Sequence, residues 1–159
     1  MKTIKRLTIL FVTCVLLLPL TACTEEKSKS DQEVEMLISE FEYACQTLDV
    51  DAVLDCMDPE VAKPLESARM ILRWGSTTSD ELVMEMLLIS LFGISDDAVM
   101  LDTLKVEIQE MEVKDTTAEA GCTLKMEKSE GMYQAEAKLQ MIKDTERAAW
   151  YITNINVED

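Results

Sequence analysis

The spacing of apolar residues along the chain changes once, near Leu104, and this change limits the folds that the sequence can adopt. Before that point, apolar residues recur at the spacing of amphipathic helices. After it, they alternate with polar residues in four segments that are separated by turn-forming residues, as half-buried strands do. The sequence therefore predicts an α+β domain in which N-terminal helices pack on a four-stranded antiparallel sheet.

The strongest periodic signal belongs to the first helix. We expect this helix to begin near Ser30 or Asp31, because Ser30 and Glu33 have the spacing of a capping box. A single apolar stripe then follows at helical intervals. Its members are Val34, Leu37, Ile38, Phe41, Cys45 and Leu48.

Three more helices and four strands complete the predicted domain. Residues 52–57 form a short helix that ends before Pro59, residues 64–74 form a helix opened by Pro64, and residues 79–92 form a third helix. The strands are predicted around Val106, Cys122, Ala137 and Ile152. Short turns between consecutive strands favour an antiparallel meander.

The first 22 residues are typical of a secretory signal peptide. Lys2, Lys5 and Arg6 form a basic start, and residues 7–20 form an apolar run of 14 residues. A membrane-spanning helix needs about 20 residues, so this run is better explained as the apolar region of a signal. We therefore expect the chain to be exported.

The run Leu20-Thr21-Ala22-Cys23 resembles the lipobox of bacterial lipoproteins, in which an aliphatic and two small residues precede an obligatory Cys. The resemblance implies cleavage before Cys23 and a lipid on its sulfur, whereas the alternative is an ordinary cleaved signal. Several acyl chains anchor a protein stably to a bilayer. We predict a signal peptide at 1–22, a lipidated Cys with a polar tether at 23–30, and one domain at 31–159, at the extracytoplasmic face of the cell membrane.

The chain is strongly acidic and contains no His, with 31 acidic against 15 basic residues. Residues 1–22 carry three basic residues and no acid, so their removal lowers the net charge from −16 to −19. Such a charge repels nucleic acid, and we expect no nucleic-acid partner. It indicates either a plain solvated surface or a surface for a cationic partner. The lack of His excludes imidazole bases and His metal ligands.

The layout resembles the nuclear-transport-factor-2-like, or cystatin-like, superfamily. The resemblance rests on Phe41 and Ala44 of the first helix, the run 48–54 into the short second helix, the run 57–59 that follows it, and the terminal strand 149–155. It implies that the helices cover a curved sheet and enclose a cone-shaped pocket; a cystatin-like arrangement without that pocket is the alternative. Enzymes of the superfamily place a carboxylate, Tyr or His inside the cone.

The inward-facing strand positions of this chain hold no Asp or Glu, and Tyr133 and Cys122 are their ionisable groups. Cys122 has no neighbouring base, so we predict no catalytic residue and no enzyme. The expected function is a non-catalytic module that binds an apolar ligand or a protein, and a small isomerase, dehydratase or hydrolase is the alternative. The candidate apolar pocket comprises Cys122, Met126, Leu139, Met141 and Trp150.

Neither a metal nor a cofactor is expected. A calcium loop that began at Asp49 would place Val53 and Leu54 where an oxygen ligand and Gly are required. Cys45 and Cys56 flank a tight turn between helices, and export permits a disulfide between them. Two buried thiols are the alternative reading of this pair.

The helix at 79–92 is apolar on most of its circumference, which favours a buried or partnered helix. It packs either against the helix at 64–74 as ordinary core, or against a second copy of the chain or another envelope protein. The candidate interface residues are Met84, Met86 and Leu87, because Met suits adaptable contact surfaces. A homodimer is therefore one candidate assembly.

We expect lipidation at Cys23, because the lipobox and the short apolar run agree. Metabolic labelling with a palmitate analogue should mark the wild-type protein and should not mark Cys23→Ala. Equal labelling of the two proteins would contradict the assignment.

Overall fold

The computed structural model describes residues 27–75, 82, 91–94 and 99–158, with the backbone alone for residues 72–75. Helices come first and a sheet follows, as the change of apolar spacing predicts. The elements are helices α1 (Lys29–Gln46), α2 (Val50–Asp55) and α3 (Pro59–Gly75) and strands β1 (Val99–Val113), β2 (Thr117–Lys128), β3 (Gly131–Asp144) and β4 (Ala149–Glu158).

The four strands form one antiparallel meander in the order β1-β2-β3-β4, which confirms the predicted sheet. The pairing shifts register twice between β1 and β2 and once between β3 and β4, at Gln140 and Met141. Such bulges bend and twist a strand, and they explain why the sheet curves. Gly131 opens β3 with a φ of +100°, a conformation that residues with a side chain rarely adopt.

Helix α1 begins two residues earlier than the sequence predicts. The capping box is formed by Ser28 and Asp31 instead of Ser30 and Glu33. The Asp31 amide donates to Ser28 Oγ at 3.1 Å, and the Ser28 amide donates to Asp31 Oδ2 at 2.9 Å. Because Asp can take the role of Glu in this reciprocal pair, the helix gains an extra half-turn towards the N-terminus.

The next two helix boundaries also differ from the prediction. Helix α2 starts at Val50, because Asp49 caps it by accepting a hydrogen bond from the Ala52 amide at 3.1 Å. Helix α3 starts at Pro59 and contains Pro64 in its interior, whereas the sequence predicts Pro64 as its start. Proline at the first position suits a helix, so Pro59 supplies the start that was assigned to Pro64.

The core lies between α1 and the concave face of the sheet. The predicted stripe of α1 is buried from Val34 to Cys45, and Leu48 packs partly buried beside it. Phe41 is 1% exposed, and its ring lies 6.1 Å from that of Phe92. Inward residues of the strands complete this core, including Leu104, Ala120, Leu124, Leu139 and Ile152.

Both outer edges of the sheet contact the helical segment. At β1, Gln46 of α1 donates to the Leu104 carbonyl at 2.7 Å, and Glu42 accepts from the Val106 amide at 2.9 Å. At β4, the Ile152 amide donates to the Cys56 carbonyl at 2.9 Å, and the Asp58 amide donates to the Ile152 carbonyl at 2.8 Å. These bonds fix α1 and the α2–α3 connection against opposite edges.

Met84, Met86 and Leu87, the candidate interface residues, lie outside the described residues. Of the predicted helix 79–92, Leu82 is exposed and Phe92 is buried. Within the described part of the chain, no helix is long and apolar enough to cross a membrane.

Phe41→Ala should lower the free energy of unfolding by about 3–5 kcal/mol, because it leaves a cavity between α1 and the sheet. Tyr43→Ala is the matched control, since Tyr43 lies on the same helix and is 67% exposed. It should change stability by no more than about 0.5 kcal/mol. Denaturant titration measures both values, and equal losses would contradict the placement of α1.

Candidate functional site

Three adjoining grooves surround the start of β4. The α1 groove has a volume of about 210 Å³ and shares Leu37, Glu40, Ala149 and Trp150 with a central groove of about 430 Å³. The central groove shares Asp55 and Tyr151 with an α3 groove of about 380 Å³, which also contacts α3. Each groove shares lining residues with the next, so the three lie side by side on one surface, and we call them together the trough.

The floor of the trough is apolar and its rim carries exposed side chains. Leu37, Ala44, Cys56 and Trp150 are each at least nine-tenths buried and line the central groove. On the rim, Met36 is 58% exposed and Tyr43 is 67% exposed. Large apolar side chains with this exposure, above a buried apolar floor, are a feature of contact surfaces.

Among the described residues, the central groove is lined by the three carboxylates of Glu40, Asp49 and Asp55 and by no Lys or Arg. Asp49 caps α2, so one of its oxygens is engaged by the Ala52 amide. Among the described residues, no cation forms an ion pair with Glu40 or Asp55. The potential in this part of the trough is therefore negative.

At the α1 end of the trough, Glu33 joins the helix to the sheet. Glu33 Oε2 accepts a hydrogen bond from Lys143 Nζ at 2.8 Å and one from Trp150 Nε1 at 3.3 Å. The Lys143 ammonium also lies 5.4 Å from the centre of the Trp150 ring, within cation–π range. The hydrogen bond from Lys143 is the main cause that lowers the pKa of Glu33. These contacts fix the Trp150 ring in the trough floor.

The α3 end of the trough has mixed charge. Lys63, Glu66 and Arg147 line the α3 groove together with Tyr151. The hydrogen bond with Tyr151 raises the pKa of Arg147, and Arg147 Nε lies 3.7 Å from Asp144 Oδ2. The trough is thus acidic along its centre and contains cations at this end.

The candidate pocket from the sequence is only partly represented in this site. Cys122, Met126, Leu139 and Met141 lie in the core cluster and line none of the three grooves, whereas Trp150 lines two of them. Sequence reasoning missed the residues of the trough rim. The available signal was the pair Met36 and Tyr43, two apolar residues on the polar side of an otherwise amphipathic helix.

The thiols of the described domain are buried and free. Cys45 and Cys56, the candidate disulfide pair, lie in the structure as separate thiols, and their oxidation stays a prediction. Burial raises the pKa of Cys45, and it raises the pKa of both Cys56 and Cys122 to about 11. Such thiols are protonated at neutral pH and react slowly as nucleophiles.

Among the described residues, no three His, Cys, Asp or Glu side chains lie close enough to hold a metal ion.

We expect Glu33→Gln to lower the melting temperature at neutral pH, because it removes the ion pair with Lys143. A lowered carboxyl pKa stabilises the fold above the ordinary value of 4.5, and this contribution is lost as the pH falls through the folded-state value. The difference between wild type and variant should therefore vanish in acid.

Circular dichroism melts across the acid range measure this effect. Glu40→Gln is the control, since Glu40 lies two turns along the same helix and forms no ion pair among the described residues. A difference that persists unchanged at the lowest pH would contradict the assignment.

Comparison with known proteins gives structural neighbours only. No family model and no curated protein matches the chain. A SEC-C motif-containing protein from Rhodopseudomonas palustris superposes with a TM-score of 0.53 at 13% identity, covering 79% of this chain and 78% of that one. An NTF2-like protein of unknown function from Shewanella oneidensis superposes with a TM-score of 0.50 at 13% identity, and the match covers 80% of this chain and 98% of that one.

A designed NTF2 protein superposes with a TM-score of 0.52 at 10% identity, and the match covers 82% of this chain and the whole of the designed chain. At these identities the likeness shows the fold alone. Together with helices that precede a curved four-stranded antiparallel sheet, it shows that the chain has an NTF2-like fold.

Proposed function

We propose that this protein is a lipid-anchored lipoprotein of the extracytoplasmic membrane face whose domain is a non-catalytic binding module, with the trough as its binding site. The observation that carries the proposal is the trough itself, an open depression with a buried apolar floor. Its central groove has a volume within the range of about 300–1,000 Å³ that is usual for ligand sites.

The anchoring part of the proposal rests on Cys23 and on the start of the domain. The cap residue of α1, Ser28, follows Cys23 by only five residues. A chain of that length extends over at most about 18 Å. A lipid on Cys23 would therefore hold α1, and with it the trough, close to the membrane surface.

The non-catalytic part rests on the chemistry of the available groups. The chain contains no His, and the thiols of the described domain are buried with raised pKa values. A carboxyl group that acts as a general acid near neutral pH needs a raised pKa. The pKa of Glu33 is lowered by its contact with Lys143, so this carboxylate stays ionised and fixes Trp150 in place.

The test is recovery of the bound molecule. Full-length protein is crosslinked in native membranes, purified and analysed by mass spectrometry for covalently attached small molecules and proteins. We expect one predominant species, and we expect Met36→Ala/Tyr43→Ala to reduce its yield by about tenfold or more, because exposed anchors of this kind dominate binding.

Met132→Ala/Ile142→Ala is the matched control. Both residues are exposed apolar side chains outside the trough, 62% and 40% exposed. The control should retain the bound species. Equal yields from both double variants, or no species from the wild type, would overturn the proposal.

A further inference from the structure

We propose that the trough binds an extended, basic segment of a partner protein, in which Lys or Arg side chains alternate with apolar ones. This inference rests on the proposed binding function and names the chemistry of its partner. It follows from the shape of the trough, from the placement of apolar and acidic groups in it, and from the charge of the whole chain.

The trough is long and open. Met36, Glu40, Tyr43 and Thr47 follow one another at helical intervals, and all four line it along α1. That stretch alone measures about 17 Å, at 1.5 Å per helical residue. The trough then continues past Asp55 and Tyr151 to the α3 groove. An extended peptide follows such a path, whereas a compact small molecule would fill one groove.

The cross-section of the trough matches a basic side chain. Its floor is formed by buried apolar side chains such as Leu37 and Trp150, and its rim by the exposed carboxylates of Glu40 and Asp55. Lys and Arg carry a long apolar stem with a charged end, so the stem contacts the floor while the charge reaches the rim. The exposed ring of Tyr43 adds a surface for cation–π contact.

The charge of the chain selects against other occupants. With 31 acidic and 15 basic residues, a second copy of this chain is repelled electrostatically, as are nucleic acid and anionic lipid. A basic segment is attracted over the whole acidic surface and is then held at Glu40 and Asp55, which form no ion pair within the described part of the chain. At the α3 end, Arg147 and Lys63 favour an acidic or uncharged end to that segment.

The test uses full-length protein in nanodiscs of phosphatidylcholine, a zwitterionic lipid. The probe is a labelled synthetic peptide of repeated Lys-Leu-Pro units, whose Pro residues favour an extended chain. Fluorescence anisotropy measures its binding against a peptide of Glu-Leu-Pro units. We expect binding of the Lys peptide only, and a weaker affinity at higher salt.

Two double variants with equal loss of charge locate the binding. Glu40→Gln/Asp55→Asn should lower the affinity for the Lys peptide by about tenfold, since two exposed ion pairs between protein and peptide are lost. Asp115→Asn/Glu130→Gln removes two carboxylates from turns of the sheet, outside the trough, and should change affinity by less than about twofold. Unchanged melting temperatures show that both variants fold.

Three outcomes would overturn the inference. The first is that the Lys peptide does not bind, and the second is that both double variants lower its affinity equally. The third is that free lysine amide binds as tightly as the Lys peptide, which would indicate a site for a small amine. If the crosslinked species from native membranes depends on Met36 and Tyr43 while the Lys peptide does not bind, the binding function stands and the basic segment is wrong.

Discussion

Burial of one apolar stripe of α1 against the concave face of the sheet is the contact on which the other features depend. Phe41 and Ile38 are almost fully enclosed, and their burial sets the distance and rotation of the helix relative to the strands. That rotation decides which residues face outward. Leu37 and Ala44 then form the trough floor, and Glu40 and Tyr43 its rim. The same packing that stabilises the domain therefore also shapes its candidate site.

Local patterns were sufficient to predict most of the fold. The strands were predictable because alternation and turn residues are local signals, and the stripe of α1 was predictable for the same reason. The cap of α1 was misplaced because Ser28 and Ser30 both precede a suitable acid three residues later. The sequence favours Pro64 as a helix start because proline is tolerated in the first turn of a helix and is unfavourable in its interior. In the structure Asp58 and Pro59 already start α3, so Pro64 lies in its interior and donates no backbone hydrogen bond there.

The trough was not predictable, because its walls come from distant parts of the chain. Glu33 and Trp150 are separated by 117 positions, yet they share a hydrogen bond. No periodicity in a single segment shows that α1 and the start of β4 meet beside α2. The pairing of Glu33 with Lys143 has a further effect, since it neutralises the α1 end and leaves the negative potential concentrated on the central groove.

The contacts at the two sheet edges have a consequence for the behaviour of many copies together. An uncovered edge strand offers free amides and carbonyls to a neighbouring chain and starts intermolecular sheet growth. Here Glu42 and Gln46 occupy groups of β1, and Cys56 and Asp58 occupy those of β4 at Ile152. These contacts shorten the stretch of free edge on β1 and β4 that a second chain could pair with, and they therefore oppose edge-to-edge aggregation of this domain.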